Sequence, residues 1–137
     1  MKTAKSPKRR PSILVIDDDS GIRETVQVRL ELSGFEVKTA SAADEAFLLL
    51  KSWKPDLILL DVSMPKMDGF EVCKVLKENK DTSSIPVIFL TGAGGEMETQ
   101  LQSLMVGAVD YVCKPFEGEE LVARLRLHLP KSMQGQT

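Results

Sequence analysis

The chain has 137 residues, the size of one ordinary domain, and its 42% hydrophobic and 28% charged residues are typical of a globular protein with a hydrophobic core. None of its apolar runs approaches the ~20 residues that a membrane helix needs. No apolar segment of the length that a signal peptide needs, about 7–15 residues, follows the basic N-terminus, which argues against a signal peptide. We therefore expect a cytoplasmic protein without membrane contact.

Charge is spread unevenly along the chain. The formal net charge is −2, yet residues 1–10 hold five cations and no acid. The rest of the chain therefore has 13 lysines and arginines against 20 acids. An acidic body of this kind predicts no direct contact with nucleic acid. We expect residues 1–11 to be a flexible basic tail outside the folded domain.

Five short apolar segments are predicted to be β-strands. In chain order they are Ile13–Asp17, Glu36–Ala40, Leu57–Asp61, Val87–Thr91 and Asp110–Cys113. Three of them contain the continuously apolar sequences ILVI, LILL and VIFL, whereas a strand with one solvent-exposed face would alternate apolar and polar residues. These strands are therefore predicted to be buried on both faces of a parallel sheet.

Segments with a helical period separate the strands. In the first, Ser20 is the expected N-cap and Gly34 follows the end. Its apolar face is formed by Ile22, Val26 and Leu30. The other helices are expected over about Ala42–Lys51, from Asp68–Gly69, over about Glu96–Val106 with Leu104 and Met105 on the apolar face, and over about Gly118–Leu129.

The regular alternation of strand and helix determines the expected fold. Right-handed crossovers between parallel strands give an α/β fold with a five-stranded parallel sheet and helices on both faces. The common arrangement of five such strands is the flavodoxin-like order 2-1-3-4-5. We expect this domain to span residues 12–129 and to be followed by a C-terminal tail or linker at residues 130–137.

Carboxylates follow two strands that this order makes neighbours. Asp17 and Asp18 end the first strand, and Asp61 ends the third. Ligands of such sheets bind at the carboxyl ends of the strands, so the three acids are expected to share one crevice. Clustered carboxylates need a counter-charge, and oxygen ligands favour Mg²⁺, with Mn²⁺ as a substitute. The adjacent Asp19 is expected to have a capping or solvent-exposed role.

Two further side chains reach the same edge of the predicted sheet. The fourth strand ends at Thr91, and Lys114 follows the fifth. Three acids, one hydroxyl and one cation suit a phosphoryl group bound to a carboxylate. We therefore expect Asp61 to attack phosphorus as the nucleophile, with Mg²⁺ and Lys114 neutralising the phosphoryl oxygens.

The chain resembles the receiver domain of two-component response regulators over residues 12–129. The resemblance rests on the sequences ILVIDDDSGIR, PDLILLDVSMPKMDGFEVCKVLK, IPVIFLTG and GAVDYVCKPF, which occur in the family's order and spacing. It implies a phosphorelay switch that catalyses only its own phosphorylation and dephosphorylation. The phosphoryl donor would be a histidine kinase or a phosphotransfer protein.

The resemblance also implies individual roles for the site residues. Asp61 would be the phosphoacceptor, and Thr91 and Lys114 would contact the phosphoryl group. The implied metal ligands are Asp17, Asp18, Asp61 and the backbone carbonyl of Ser63. The family further implies a cis peptide bond between Lys114 and Pro115, the kind of bond that adopts the cis form readily.

A switch between two states is part of the same resemblance. Thr91 would move toward the phosphoryl group and Tyr111 would swing inward, which changes the face formed by helix 4, strand 5 and helix 5. This face would signal to a downstream protein or a fused output domain, and an activated homodimer is a further expectation. The glycines of residues 92–96 fit either a remodelled loop or a tight turn. In the family, the side chains at the positions of Ser63 and Ala93 flank the approach of the hydrolytic water. Neither residue offers an acid or an amide to orient this water, so moderately slow self-dephosphorylation is expected.

Two alternatives use these residues differently. A haloacid-dehalogenase-like phosphatase would use Asp17 as nucleophile and Asp19 as acid, although Gly21 stands where its motif has Thr or Val, and Asp61 would be unexplained. A receiver-like scaffold that is not phosphorylated would leave the complete set of phosphorylation residues without a role. The sequence also leaves open whether the domain stands alone or is a piece of a larger regulator.

Overall fold

The computed structural model describes residues 9–92 and 102–130. Its five strands are β1 (Ser12–Ile16), β2 (Glu36–Ala40), β3 (Leu57–Asp61), β4 (Val87–Thr91) and β5 (Asp110–Cys113). The helices are α1 (Ser20–Leu32), α2 (Ala43–Leu50), α3 (Gly69–Glu78), α4, of which residues 102–105 are described, and α5 (Gly118–His128). No helix within the described residues combines the length and the hydrophobicity needed to cross a membrane.

The strands form one parallel sheet in the order β2-β1-β3-β4-β5, which confirms the predicted fold. The central pair places Ile13 beside Leu57 and Ile16 beside Leu60. The carboxyl ends of β1 and β3 therefore lie side by side, although more than 40 residues separate them in the chain. This neighbour relation is what brings the acids after the two strands together.

Apolar residues fill both faces of the sheet. Every residue of β1, β3 and β4 is buried, as their continuously apolar sequences predict. One cluster lies against α1 and α5 and includes their buried residues Val26, Leu30, Leu121 and Leu125. The other lies against α2 and α3 and includes their buried residues Ala46, Val72, Cys73 and Leu76. Each fully buried Leu, Val or Ile side chain contributes about 1.5–3 kcal/mol, so the two clusters hold the strand ends in a fixed frame.

The start of α1 differs from the prediction. β1 ends at Ile16, and Asp19 is the N-cap, because its Oδ1 accepts hydrogen bonds from the backbone N–H groups of Gly21 at 2.8 Å and Ile22 at 3.1 Å. Ser20 is the first helical residue, so its prediction as the N-cap is wrong. The capping role expected for Asp19 is the one observed, and this cap directs the chain away from the strand end.

The apolar residues of α4 also differ from expectation. Leu104 and Met105 are 70% and 86% exposed, whereas Ser103 is buried, so the predicted inward face of this helix is wrong for the described turn. The predicted beginning of the helix at Glu96 lies outside the described residues. The consequence is that two large apolar side chains of this turn face solvent.

Candidate functional site

Three carboxylates meet at the carboxyl ends of β1 and β3. Asp17, Asp18 and Asp61 each bring one oxygen to within 4.8 Å of those of the other two. Asp17 is fully buried and Asp61 is 4% exposed, whereas Asp18 faces solvent. An all-oxygen set with one open side fits a hard divalent cation such as Mg²⁺, which keeps some of its water when bound. The expected crevice of three acids therefore exists in the fold.

Lys114 supplies a cation to the same crevice. Its Nζ lies 3.0 Å from Asp17 Oδ2 and 3.2 Å from Asp61 Oδ1, so one ammonium bridges two of the acids. The residue follows β5, and its backbone N–H donates to the carbonyl of Thr91 at 2.7 Å. The Lys114–Pro115 peptide bond is cis. Groups from three distant parts of the chain thus form one charge cluster.

Backbone and side-chain donors hold Asp17 in place. The backbone N–H of Asp19 donates to Asp17 Oδ1 at 2.9 Å, while Lys114 uses the other oxygen. Arg23, on α1, donates from its guanidinium to the backbone carbonyl of Asp17 at 2.8 Å. Sequence reasoning did not find this arginine, since nothing in the spacing from Asp17 to Arg23 marks a side chain that folds back onto the loop.

The crowding of charge shifts two pKa values. Burial, followed by the nearby Asp17 carboxylate, raises the pKa of Asp61 to about 6, and the contact with Lys114 opposes this rise. Burial disfavours the Lys114 ammonium, but its hydrogen bond to Asp17 and the charges of both acids outweigh burial and raise its pKa. At neutral pH the crevice therefore holds an ionised but destabilised Asp61 beside a permanent cation.

The raised pKa of Asp61 gives a prediction about stability. Between about pH 4 and pH 6 the folded chain retains a proton that the unfolded chain has lost, so stability from this carboxyl is present below about pH 4 and is lost as pH rises through about 6. We expect Asp61→Asn to raise the free energy of unfolding at pH 7.5, without added metal, by about 1–2 kcal/mol. The expected gain is smaller than the free energy that corresponds to the full pKa shift, because the substitution also removes Asp61 as an ionic partner of Lys114.

Urea denaturation of both proteins at pH 7.5 and pH 4 measures this effect. The gain from Asp61→Asn should shrink to near zero at pH 4. Asp81→Asn, on an exposed loop, is the control and should change stability by less than about 0.5 kcal/mol at either pH. A loss of stability in Asp61→Asn at pH 7.5 would contradict the charge crowding.

Comparison with known proteins assigns the family. The family model for the response regulator receiver domain matches residues 13–126 of the chain. The chain belongs to the response regulator receiver domain family. The resemblance drawn from its motifs is thereby confirmed.

Related proteins show where receiver domains of this kind occur. The DNA-binding dual master transcriptional regulator RpaA of Synechocystis sp. is 42% identical over 89% of this chain and 50% of its own length. The phosphate regulon transcriptional regulatory protein PhoB of Pseudomonas aeruginosa is 43% identical over 92% of this chain and 55% of its own. The receiver chain thus spans about half the length of the curated relatives it matches. The expectation of no nucleic-acid contact finds no support in these relatives, one of which is named as DNA-binding.

Solved structures agree on the fold. The chemotaxis protein CheY4 of Vibrio cholerae superposes with a TM-score of 0.83 at 32% identity, covering 88% of this chain and 99% of that one. The receiver domain of the Francisella response regulator 1452 superposes with a TM-score of 0.79 at 31% identity, covering 86% and 95%. The haloacid-dehalogenase-like alternative finds no support among these proteins.

The remaining predicted site residues lie around the crevice of the receiver. Thr91 is buried at the end of β4, and Tyr111 is partly buried beside Phe89, its register partner across β4 and β5. Ser63 is exposed, and its backbone N–H lies 3.4 Å from Asp61 Oδ1. Ala93 lies outside the described residues. Thr91 and Tyr111 therefore share one side of the sheet.

A glycine that sequence reasoning treated only as a helix start has a closer relation to the site. Gly69 is the first residue of α3, and its N–H donates to the carbonyl of Val62 at 2.9 Å. A Cβ on Gly69 would lie 2.2 Å from the backbone oxygen of Asp61. The α3 backbone therefore packs directly against the strand end that presents the candidate phosphoacceptor. The only signal in the sequence is the pair Asp68–Gly69 at a capping position.

Proposed function

We propose that this receiver domain is a phosphoacceptor switch that takes a phosphoryl group onto Asp61. The observation that carries the proposal is the bridging of Asp17 and Asp61 by Lys114, with Nζ–oxygen distances of 3.0 and 3.2 Å. A neutral structural role for these residues would not require two buried acids and a lysine from three separate strand ends. The donor is proposed to be a histidine kinase or a phosphotransfer protein.

The chemistry follows from the position of each group. An Asp61 oxygen attacks phosphorus, the new O–P bond forms, and the bond from phosphorus to the donor atom breaks. Lys114 neutralises charge on the phosphoryl oxygens during transfer, since its ammonium already contacts the attacking carboxylate. Asp17, Asp18, Asp61 and the carbonyl of Ser63 would hold Mg²⁺, which when bound supplies further neutralisation of those oxygens.

The output is proposed to run through the face of α4, β5 and α5. Thr91 would hydrogen-bond a phosphoryl oxygen, and Tyr111 would follow it inward. Asp110 links β5 to α5 within this face, because its Oδ1 accepts a hydrogen bond from Arg124 Nη1 at 2.8 Å and its Oδ2 lies 3.0 Å from His128 Nε2. Sequence reasoning missed these contacts of Asp110, since they connect the start of a strand to a helix that begins eight residues later.

The fate of the signal also belongs to the proposal. A small, exposed Ser63 leaves the approach of water to Asp61 without a polar group of the acid or amide type, which favours slow self-dephosphorylation. The relatives are transcriptional regulators about twice as long as the chain, which favours an attached output domain over a separate target. Dimerisation on activation through the exposed Leu104 and Met105 is consistent with either arrangement.

Acetyl phosphate and Mg²⁺ test the phosphoacceptor directly. We expect the intact mass of the chain to increase by one phosphoryl group, and we expect Asp61→Asn to show no increase. Asp81→Asn, which removes an exposed aspartate elsewhere, is the matched control and should be labelled like the wild type.

Each competing function gives a different result in the same experiment. Steady turnover of p-nitrophenyl phosphate that is abolished by Asp17→Asn would indicate a phosphatase. No mass change and no turnover would indicate a scaffold. Labelling that persists in Asp61→Asn would place the phosphoacceptor elsewhere and refute the assignment of Asp61.

A further inference from the structure

Exposed lysines lie near the amino ends of β3 and β4, at the edge of the sheet opposite the carboxylate crevice. Lys51 and Lys54 follow α2, Lys80 follows α3, and all three line one groove of about 410 Å³. Trp53 also lines this groove, and Lys38 Nζ lies 4.8 Å from the centroid of its ring. We call Lys38, Lys51, Lys54 and Lys80 the basic edge.

The lysines of the basic edge have no ionic partners among the described residues. All four are exposed, and none of the ion pairs within residues 9–92 and 102–130 includes them. Asp81 is the one acid that lines the groove. The nearby Asp56 is already engaged by Arg9 at 2.8 and 2.9 Å and by the backbone N–H of Ser12. Within the described residues, the positive charge of this edge is therefore not neutralised by ion pairs.

Arg9, the first described residue, lies near the same edge. The ion pair of Arg9 with Asp56 fixes where the chain reaches the sheet, and Asp56 follows Lys54 by two residues. The acidic total of the chain therefore does not describe this edge, where three exposed lysines line a groove together with one acid.

The shape of the basic edge distinguishes between classes of partner. The groove has apolar lining residues in Leu50, Trp53 and Ile85, but Ile85 is buried and Lys38 lies over the ring of Trp53, so its exposed side chains are mainly lysines. Lysines act as separate point charges on flexible stems, which suits a repeating row of phosphates. We propose that the basic edge binds the phosphate backbone of duplex nucleic acid without reading its base sequence.

This inference is independent of the phosphoacceptor. Asp56 and Asp61 lie at opposite ends of β3, five residues apart, which is roughly 16 Å along an extended strand. A duplex at the basic edge and a phosphoryl group at Asp61 therefore occupy separate sites. Asp61→Asn should bind the duplex as the wild type does, so failure of one proposal leaves the other standing.

Fluorescence anisotropy with a labelled duplex of about 24 base pairs and arbitrary sequence tests the proposal on the full chain. With about four phosphate contacts, the affinity should fall on the order of 100-fold when NaCl is raised from 50 to 200 mM. Lys80→Glu should weaken binding at 50 mM NaCl by at least about 5-fold and reduce the salt slope by about one. Lys74→Glu, at an exposed lysine of α3 outside the groove, makes the same charge change and should weaken binding by less than about 2-fold.

Three results would overturn the proposal. The first is no binding of the duplex at 50 mM NaCl. The second is an equal loss of affinity in Lys74→Glu and Lys80→Glu, which would reveal an effect of net charge alone. The third is tighter binding of a poly-glutamate peptide than of the duplex, with the same dependence on Lys80, which would assign the surface to an acidic protein. Unchanged circular dichroism spectra of both variants ensure that the comparison concerns binding.

Discussion

Replacing Lys114 with methionine is expected to slow the phosphorylation of Asp61 by about 100-fold or more while strengthening the binding of Mg²⁺. The two effects have opposite signs because the ammonium plays two parts. It contacts Asp61, the carboxylate proposed to attack phosphorus, and would neutralise the transferring phosphoryl group; removing one such preorganised donor typically costs about 10²–10³ in rate. In the resting protein it also competes with a metal for Asp17 and Asp61. Without it the three acids lack a counter-charge, and we expect metal affinity to rise by about 3- to 10-fold.

Two measurements separate these effects. Intact-mass time courses with acetyl phosphate at saturating Mg²⁺ give the phosphorylation rate, and titration calorimetry gives the metal affinity. Lys74→Met removes an exposed lysine outside the crevice and should leave both unchanged. Phosphorylation at the wild-type rate in Lys114→Met would contradict a role for the lysine in transfer. Weaker metal binding would show instead that it only holds the acids in position.

The fold was predictable because its two strongest signals are local. Continuously apolar strands such as β3 indicate burial on both faces, and a helical period between them indicates crossovers. Once the strand order is known, parallel pairing places Asp17 beside Asp61 without any further information. The acids of the candidate site could therefore be predicted as a group, since topology alone brings them together.

Features that depend on side-chain contacts could not be predicted in this way. Asp19 and Ser20 are both good capping residues, and the choice between them depends on the strand ending at Ile16. The exposure of Leu104 could not be read from periodicity, because an apolar stripe looks the same whether it faces the core or a partner. Similarly, the net charge of the chain does not indicate which lysines lie at the same edge of the sheet.

Replacing Gly69 with alanine is expected to destabilise the folded chain by about 3 kcal/mol, the largest effect of a single methyl group that the structure predicts. The new Cβ would lie 2.2 Å from the oxygen of Asp61, 2.9 Å from the Cα of Val62 and 3.0 Å from the carbonyl carbon of Asp61. All three atoms belong to the backbone, so no side-chain rotation can relieve the overlap. Overpacking of this kind typically costs about 1–3 kcal/mol, and rigid neighbours place it at the upper end.

A competing effect favours alanine but is too small to reverse the sign. Alanine exceeds glycine in helix propensity by about 1 kcal/mol in a helix interior, and by less at the first position, which Gly69 occupies. The overlap forces the backbone to shift at the start of α3 or at the end of β3. A shift at the end of β3 would move the carboxylate of Asp61 relative to Lys114. We expect Gly69→Ala to be phosphorylated more slowly as well as to unfold at lower urea concentration.

Urea denaturation of Gly69→Ala and Gly92→Ala measures the effect with a matched control. Gly92 follows β4, and a Cβ there would meet nothing within 4 Å among the described residues, so its replacement should change the free energy of unfolding by less than about 0.5 kcal/mol. The two variants add the same methyl group and differ only in what it meets. If both variants unfolded like the wild type, the start of α3 could not pack against the carbonyl of Asp61, and the close contact between this helix and the end of β3 would be contradicted.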